Sequence, residues 1–204
     1  MPGMTNKKIL RTWALGLCLF GSQSRAALSP VAISIIPPVQ FPSEDVTVTG
    51  PRISLLWGDH RNAYVADIGL IGNMTSLNFG GFAVSGVFNY NAGVSTILGF
   101  QVAGIVNINK NVTTVVGVQF AGLVNYNTAA SSVVGLQIAA AANMSPFTNI
   151  WGAQIGIYNS ARVINGLQIG LVNVAEFVRG LQIGLINIHR QGLFVISPLI
   201  NVGF

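Results

Sequence analysis

Charge is the first thing this chain lacks. Of its 204 residues only 7% are Asp, Glu, Lys or Arg, against about 25% in an ordinary soluble domain. Four of the ten bases, Lys7, Lys8, Arg11 and Arg25, crowd the N-terminus; beyond residue 26, six bases face five acids. That balance removes the basis for a nucleic-acid partner, which the whole-chain isoelectric point of about 9.9 would suggest. Cysteine is nearly absent: Cys18 stands alone, so no disulfide framework is available. Past residue 26 there is no long hydrophobic run either. Asn, Gln, Gly or Ser interrupts every apolar stretch well short of the ~20 residues a spanning helix needs.

Site chemistry is equally sparse. No pair of His, Cys or carboxylates has metal-ligand spacing, and neither GxxxxGK nor GxSxG occurs. Asp59-His60-Arg61 is the one compact polar cluster, and it reads as a hydrogen-bonded loop beside Trp57 rather than as a base with a pocket. His189-Arg190 follows a repeat and reads as a solvated tip or a lipid-headgroup contact. Glu176 and Arg179 share one segment between repeats and are placed to form a weak surface pair. No cofactor, metal or catalytic residue is expected.

What is present begins with a leader. Lys7, Lys8 and Arg11 precede the apolar "WALGLCLFG", and Ser24, Ala26 and Ala27 supply small residues after it. Residues 1–26 therefore read as a secretory signal peptide. Leu17 stands before Cys18 where a lipoprotein signal needs a small residue. An exported, apolar, charge-poor chain without a membrane helix points to β-structure in or beside an outer membrane. At the other end, Phe194, Ile196, Pro198, Ile200, Val202 and Phe204 share one parity. A terminal strand of this kind, closing on Phe204 with Val202 and Ile200, resembles the signal that outer-membrane β-proteins present to their insertion machinery.

Between the ends the chain repeats itself. "GLQIGLVN" at Gly166 returns as "GLQIGLIN" at Gly180, and related phrases precede Asn73, Asn89, Asn107, Asn125, Asn143, Asn159, Asn173, Asn187 and Asn201. The markers are spaced 16, 18, 18, 18, 16, 14, 14 and 14 residues apart, which means one structural unit used again and again. Gly within the phrases disfavours helix, whereas alternation favours strand. In "GVQFAGLVNYN", Val118, Phe120, Val124 and Tyr126 share one parity, and Gln119, Ala121, Asn125 and Asn127 the other. The apolar parity is expected to face outward.

Each recurring residue has a physical reading. Gly99, Gly117, Gly135, Gly166 and Gly180 permit bends and close backbone approach. Gln101, Gln119, Gln137, Gln154, Gln168 and Gln182 are expected to stack as a hydrogen-bonded ladder. Asn107, Asn125, Asn143, Asn159, Asn173 and Asn187 are expected to close turns by bonding their own backbone and accepting positive φ. The fold class is all-β, a repeat-built antiparallel sheet of short hairpins or coils, barrel-like or solenoid-like. A 14-residue unit cannot hold two spanning strands of about 9–11 residues, and the even period lacks the long–short alternation of membrane barrels. The depth suits one leaflet better than a bilayer.

The division expected is 1–26 leader, 27–61 proline-rich leading segment with short strands, and 62–204 β-repeat domain. Pro37, Pro38, Pro42 and Pro51 break the leading segment into extended pieces. "PPVQFPSED" and "RISLLWGDHRNAYVADIGLIGN", followed by "GLQIGLVN" units, resemble a leptospiral-type bacterial surface-repeat family over nearly all of the chain past the leader. The resemblance implies an exported β-rich surface or outer-membrane protein with no catalytic residues to carry over; the proline-rich start and the "SPLINVGF" end imply oligomeric assemblies. The function expected is a non-enzymatic outer-membrane β-repeat protein, self-assembling into a scaffold, ring or pore-like wall against membrane lipid. The alternative is a secreted or surface-anchored solenoid that binds a partner, as an adhesin does. An envelope-lipid enzyme using Asp59 and His60 is the third class.

Overall fold

The computed structural model describes residues 27–204; the leader, with Cys18, falls on residues 1–26 and lies outside them. Among the described residues there is no helix. Extended segments wind into a β-solenoid of about ten stacked coils. Thr113–Ala121 pairs in parallel with Val94–Ala103 on one side and Ser132–Ala139 on the other. Val106–Asn109 lies likewise between Phe88–Asn91 and Val124–Asn127. The register follows the repeat: Gln119 sits between Gln101 and Gln137, and Gly117 between Gly99 and Gly135.

The sequence reading needs one correction at this point. The fold is all-β and repeat-built, but the repeats pair in parallel, one coil each. Antiparallel pairing is confined to Ala32–Ile36 with Val39–Phe41, and Val172–His189 with Ile196–Gly203. The cause is the repeat itself. Identical side chains can stack on one another in register only if successive phrases run the same way; a hairpin would reverse every second one. The barrel-like alternative and the porin-like description fall with it, since each coil closes around its own side chains rather than the sheet around a lumen.

Three corners shape an 18-residue coil: a bend at Gly117, the break at Gly122-Leu123 and the turn at 128–131. At the first, Gly117 adopts φ +131, a value β-carbon-bearing residues avoid, and a Cβ there would collide with the carbonyl oxygen of Gly99. Gly135, Gly152, Gly166 and Gly180 repeat that geometry, while Gly99 has positive φ without the close contact. Coil length changes at a different place. The 18-residue coils carry a turn at 110–112 between Val106–Asn109 and Thr113–Ala121, whereas in a 14-residue coil Tyr158–Ile169 runs through unbroken. The leading segment belongs to the same stack: Ile33 pairs with Ile53 and Arg52 with Asp67, and Trp57–Gly69 crosses the 61/62 boundary as one strand.

The interior holds a single strong apolar row. Ile97, Val115, Val133, Ile150, Ile164 and Val178 stack coil on coil, all but fully buried. Burying each contributes about 1.5–3 kcal/mol. Apart from Phe79 and Val48, the other large side chains inside are polar.

Candidate functional site

The Gln and Asn residues of the repeat point inward. Gln101, Gln119, Gln137, Gln154, Gln168 and Gln182 are 0% exposed, as are Asn107, Asn125, Asn143, Asn159, Asn173 and Asn187. Buried amides must be hydrogen-bonded, and two ladders achieve this. Gln119 Nε2 donates to Gln101 Oε1 at 2.9 Å and Gln137 Nε2 to Gln119 Oε1 at 2.7 Å. Gln154, Gln168 and Gln182 continue the pattern, and Asn201 Nδ2 ends it on Gln182 Oε1. The Asn ladder runs the other way: Asn107 Nδ2 donates to Asn125 Oδ1 and Asn125 Nδ2 to Asn143 Oδ1, both at 2.9 Å. It starts at Asn73, whose Oδ1 has no partner.

The Asn side chains do close a corner, though not as isolated turn residues. Asn107 Nδ2 also donates to Phe120 O in the next coil at 2.7 Å, and Asn125 Nδ2 to Ile138 O at 2.8 Å. In the short coils Asn159 and Asn187 reach back to the carbonyls of Gly156 and Gly184, at 3.1 and 3.0 Å. Positive φ is left to glycine, with Val65 and Leu199 as the non-glycine cases among the described residues. A sequence pattern could reveal the ladder but not the neighbouring-coil carbonyl, which exists only after stacking.

At the N-terminal end the amides give way to charge. Ala83 interrupts the row next to Gln101, and Asp67 and Arg52 occupy the two rung positions beyond it. They form the one salt bridge among the described residues, with Arg52 Nε donating to Asp67 Oδ1 at 2.7 Å. Arg52 Nη1 also donates to Met74 O at 2.8 Å and lies 3.2 Å from His60 Nδ1. Arginine can only donate, so Nδ1 accepts, and Nε2–H donates to Pro42 O at 3.2 Å. His60 is thereby held neutral; burial and the Arg52 charge lower its pKa to about 4. This cluster is sealed and structural. Asp59 instead accepts from Ser76 at the surface, so the Asp59-His60-Arg61 sequence cluster is split between inside and outside.

The outer surface reverses the usual polarity. One outward register position is apolar through Ile53, Ile68, Val84, Val102, Phe120 and Ile138, and on through Ile155, Ile169 and Ile183 to Ile200. It leads into the Gly–Leu corner before each Asn, where Leu123, Leu171 and Leu185 are 50%, 51% and 60% exposed. No Asp, Glu, Lys or Arg occurs in the three residues before any marker Asn from 73 to 187. A groove of about 880 Å³ follows this edge, floored by Ala140, Gly156, Gly170 and Gly184 and ended by Leu199 and Ile200. A second, of about 650 Å³, continues it near Ile33 and Ile53. The exposed charges, among them Lys110, Arg162 and Arg190, and the half-buried Glu176 lie away from that edge. Tyr90 and Tyr126 stand between, with the Lys110 ammonium 5.4 Å from the Tyr90 ring centroid.

The C-terminal strand Ile196–Gly203 covers the last coil antiparallel, setting Ile200 opposite Ile183 and Val202 opposite Leu181, with Phe204 fully exposed beyond. His189 Nε2 accepts from the Val178 N–H at 3.1 Å, and burial lowers the pKa of this ring. Glu176 and Arg179 form no salt bridge. No group of three or more metal-ligating side chains occurs among the described residues. Comparison with family models, with curated proteins and with solved structures finds no match.

Proposed function

We propose that this chain is an exported, non-enzymatic outer-membrane β-solenoid that sinks its Gly–Leu edge into one lipid leaflet and assembles edge to edge with further copies. The observation that carries the reading is the uninterrupted apolar row from Ile53 to Ile200, continuous with an exposed, charge-free corner. Soluble monomers rarely expose a contiguous apolar patch of this extent. Depth supports it as well. Tyr126 lies three residues past the Leu123 corner and Gly117 six before it, roughly 10 and 20 Å at about 3.3 Å per residue. One leaflet contributes about half of a ~30 Å hydrocarbon core. The tyrosines then sit where amphipathic rings settle at an interface.

Self-association is supported by a strand edge. Among the described residues Ile196–Gly203 pairs only with the last coil, which leaves its other side an open strand edge. The partner-binding alternative draws on the same two grooves, filled in that case by a protein rather than by lipid.

Flotation with phospholipid vesicles separates the two. The leaflet reading expects co-flotation that resists high salt and is lost in Leu123→Lys/Leu171→Lys, while Asn111→Lys at the far corner floats normally. A chain that stays with the soluble fraction irrespective of lipid would leave only the partner-binding solenoid.

A further inference from the structure

One hollow differs from the apolar grooves in its chemistry. The strand Ala142–Ile155 departs from regular pairing between Ser145 and Asn149, which pushes Pro146 and Phe147 outward. Past the last coil, the segment after His189 is tied down by two backbone bonds. Arg190 N–H donates to Ala175 O and Gln191 N–H to Glu176 O, both at 3.0 Å. Between these projections lies a cleft of about 560 Å³. Tyr126, Met144, Phe147 and Tyr158 form its aromatic and thioether side, and Glu176, Arg190 and Gln191 its polar side. Neither Glu176 nor Arg190 has an ion-pair partner among the described residues.

We propose that this cleft binds the headgroup of a zwitterionic aminophospholipid, a phosphoethanolamine, with Arg190 on the phosphate and Glu176 on the ammonium. Both charges of such a headgroup find their opposite in one cleft. A guanidinium offers the paired donors a phosphate accepts, a carboxylate accepts N–H from a primary ammonium, and aromatic faces attract the same cation. A quaternary ammonium has no N–H to give Glu176, and an anionic headgroup leaves Glu176 facing a like charge. Height agrees with this assignment, which rests on the leaflet reading. Glu176 follows the Leu171 corner by five residues, about 16 Å at about 3.3 Å each, the level of headgroups when that corner reaches the middle of a ~30 Å core.

The test measures affinity of the full chain for vesicles of phosphatidylcholine alone and of phosphatidylcholine mixed with either phosphatidylethanolamine or phosphatidylglycerol. Binding about tenfold tighter to the ethanolamine mixture is expected. Glu176→Gln and Arg190→Gln should each erase that preference and leave binding to phosphatidylcholine as it was. Equal binding to all three overturns the headgroup site and leaves the leaflet reading intact, as does a preference for phosphatidylglycerol that survives Glu176→Gln. If no vesicle binds, the leaflet reading fails. The cleft is then judged by micelle-free dihexanoyl-phosphatidylethanolamine: a nuclear magnetic resonance shift at Tyr126 and Tyr158, absent with the choline analogue and in Glu176→Gln, upholds it, and no shift overturns it.

Discussion

The two ends of the stack meet one problem, a polar interior, in different ways. From Gln101 to Gln182 each coil adds an identical amide to the last, and each addition leaves the next coil the same pair of groups to satisfy. At Arg52 and Asp67 the same row carries full charge, and with neutral His60 beside them it is closed by six side-chain and backbone bonds that fit once only. An amide ladder can be extended with identical rungs, since each amide both donates and accepts; a charged ladder cannot, since identical charges on successive rungs repel. The lesson is that the repeat uses neutral amides because they are translationally repeatable, and charge appears where repetition starts.

The largest effect should come from breaking the charged rung. Arg52→Met leaves Asp67 buried without its partner and is expected to cost about 3–5 kcal/mol in denaturant unfolding. The pair Arg52→Gln/Asp67→Gln, which removes both buried charges and leaves two amides facing each other beyond Ala83, should recover most of that loss. Failure of the double variant to recover would mean that neutral amides cannot replace the ion pair at these rungs. Acidification tests the difference next. His60 and His189 are both held neutral, with folded pKa values below their unfolded ones. Their contribution is therefore present above about 6.5 and lost as pH falls, for His60 toward about 4. Between Ile68 and Ala175 there is no Asp, Glu or His. Protection against amide exchange, corrected for the intrinsic rate at each pH, should fall at the two ends on going from pH 7 to pH 4 while the middle coils hold, and His60→Gln should remove the N-terminal step. A smaller cost is expected from Gln137→Met, which leaves Gln119 Oε1 only the Asn127 donor and Gln154 Nε2 only the Ser160 carbonyl. About 1–3 kcal/mol is the scale for such a loss, and a thermal melt unchanged from wild type would show that the ladder contributes nothing net. Smallest is a gain. Val65 holds φ 86 opposite Gly81, where later coils use glycine, so Val65→Gly should stabilise by up to about 1 kcal/mol.

Much of this was legible in the residues, and for a definite reason. A period of 14–18 with fixed internal parity constrains both the unit and which of its side chains share a face. Hence the inward set Gln119, Ala121, Asn125 and Asn127 and the outward set Phe120 and Tyr126 could be read off "GVQFAGLVNYN". Direction was not legible, because alternation looks alike in a parallel coil and an antiparallel hairpin; only the stacking of Gln119 on Gln101 decides it. Nor could Arg52 be found as a core residue. Gly50 stands two residues before it as Gly99 does before Gln101, but a lone Arg reads as a surface residue, and its partner Asp67 is recognisable only once the register places it in line with the Gln row. The cleft by Phe147 and Arg190 depends on a strand irregularity at Ser145/Asn149, which no periodic pattern announces.

The opposed sense of the two ladders has an electrical consequence. Asn amides donate toward the C-terminal end of the stack and Gln amides toward the N-terminal end. Their dipole moments therefore oppose one another rung by rung, whereas peptide dipoles in a helix add along its axis. Coils can be gained or lost by gene duplication or deletion without building a field along the axis, and neither terminus has to supply a counter-charge as the stack lengthens.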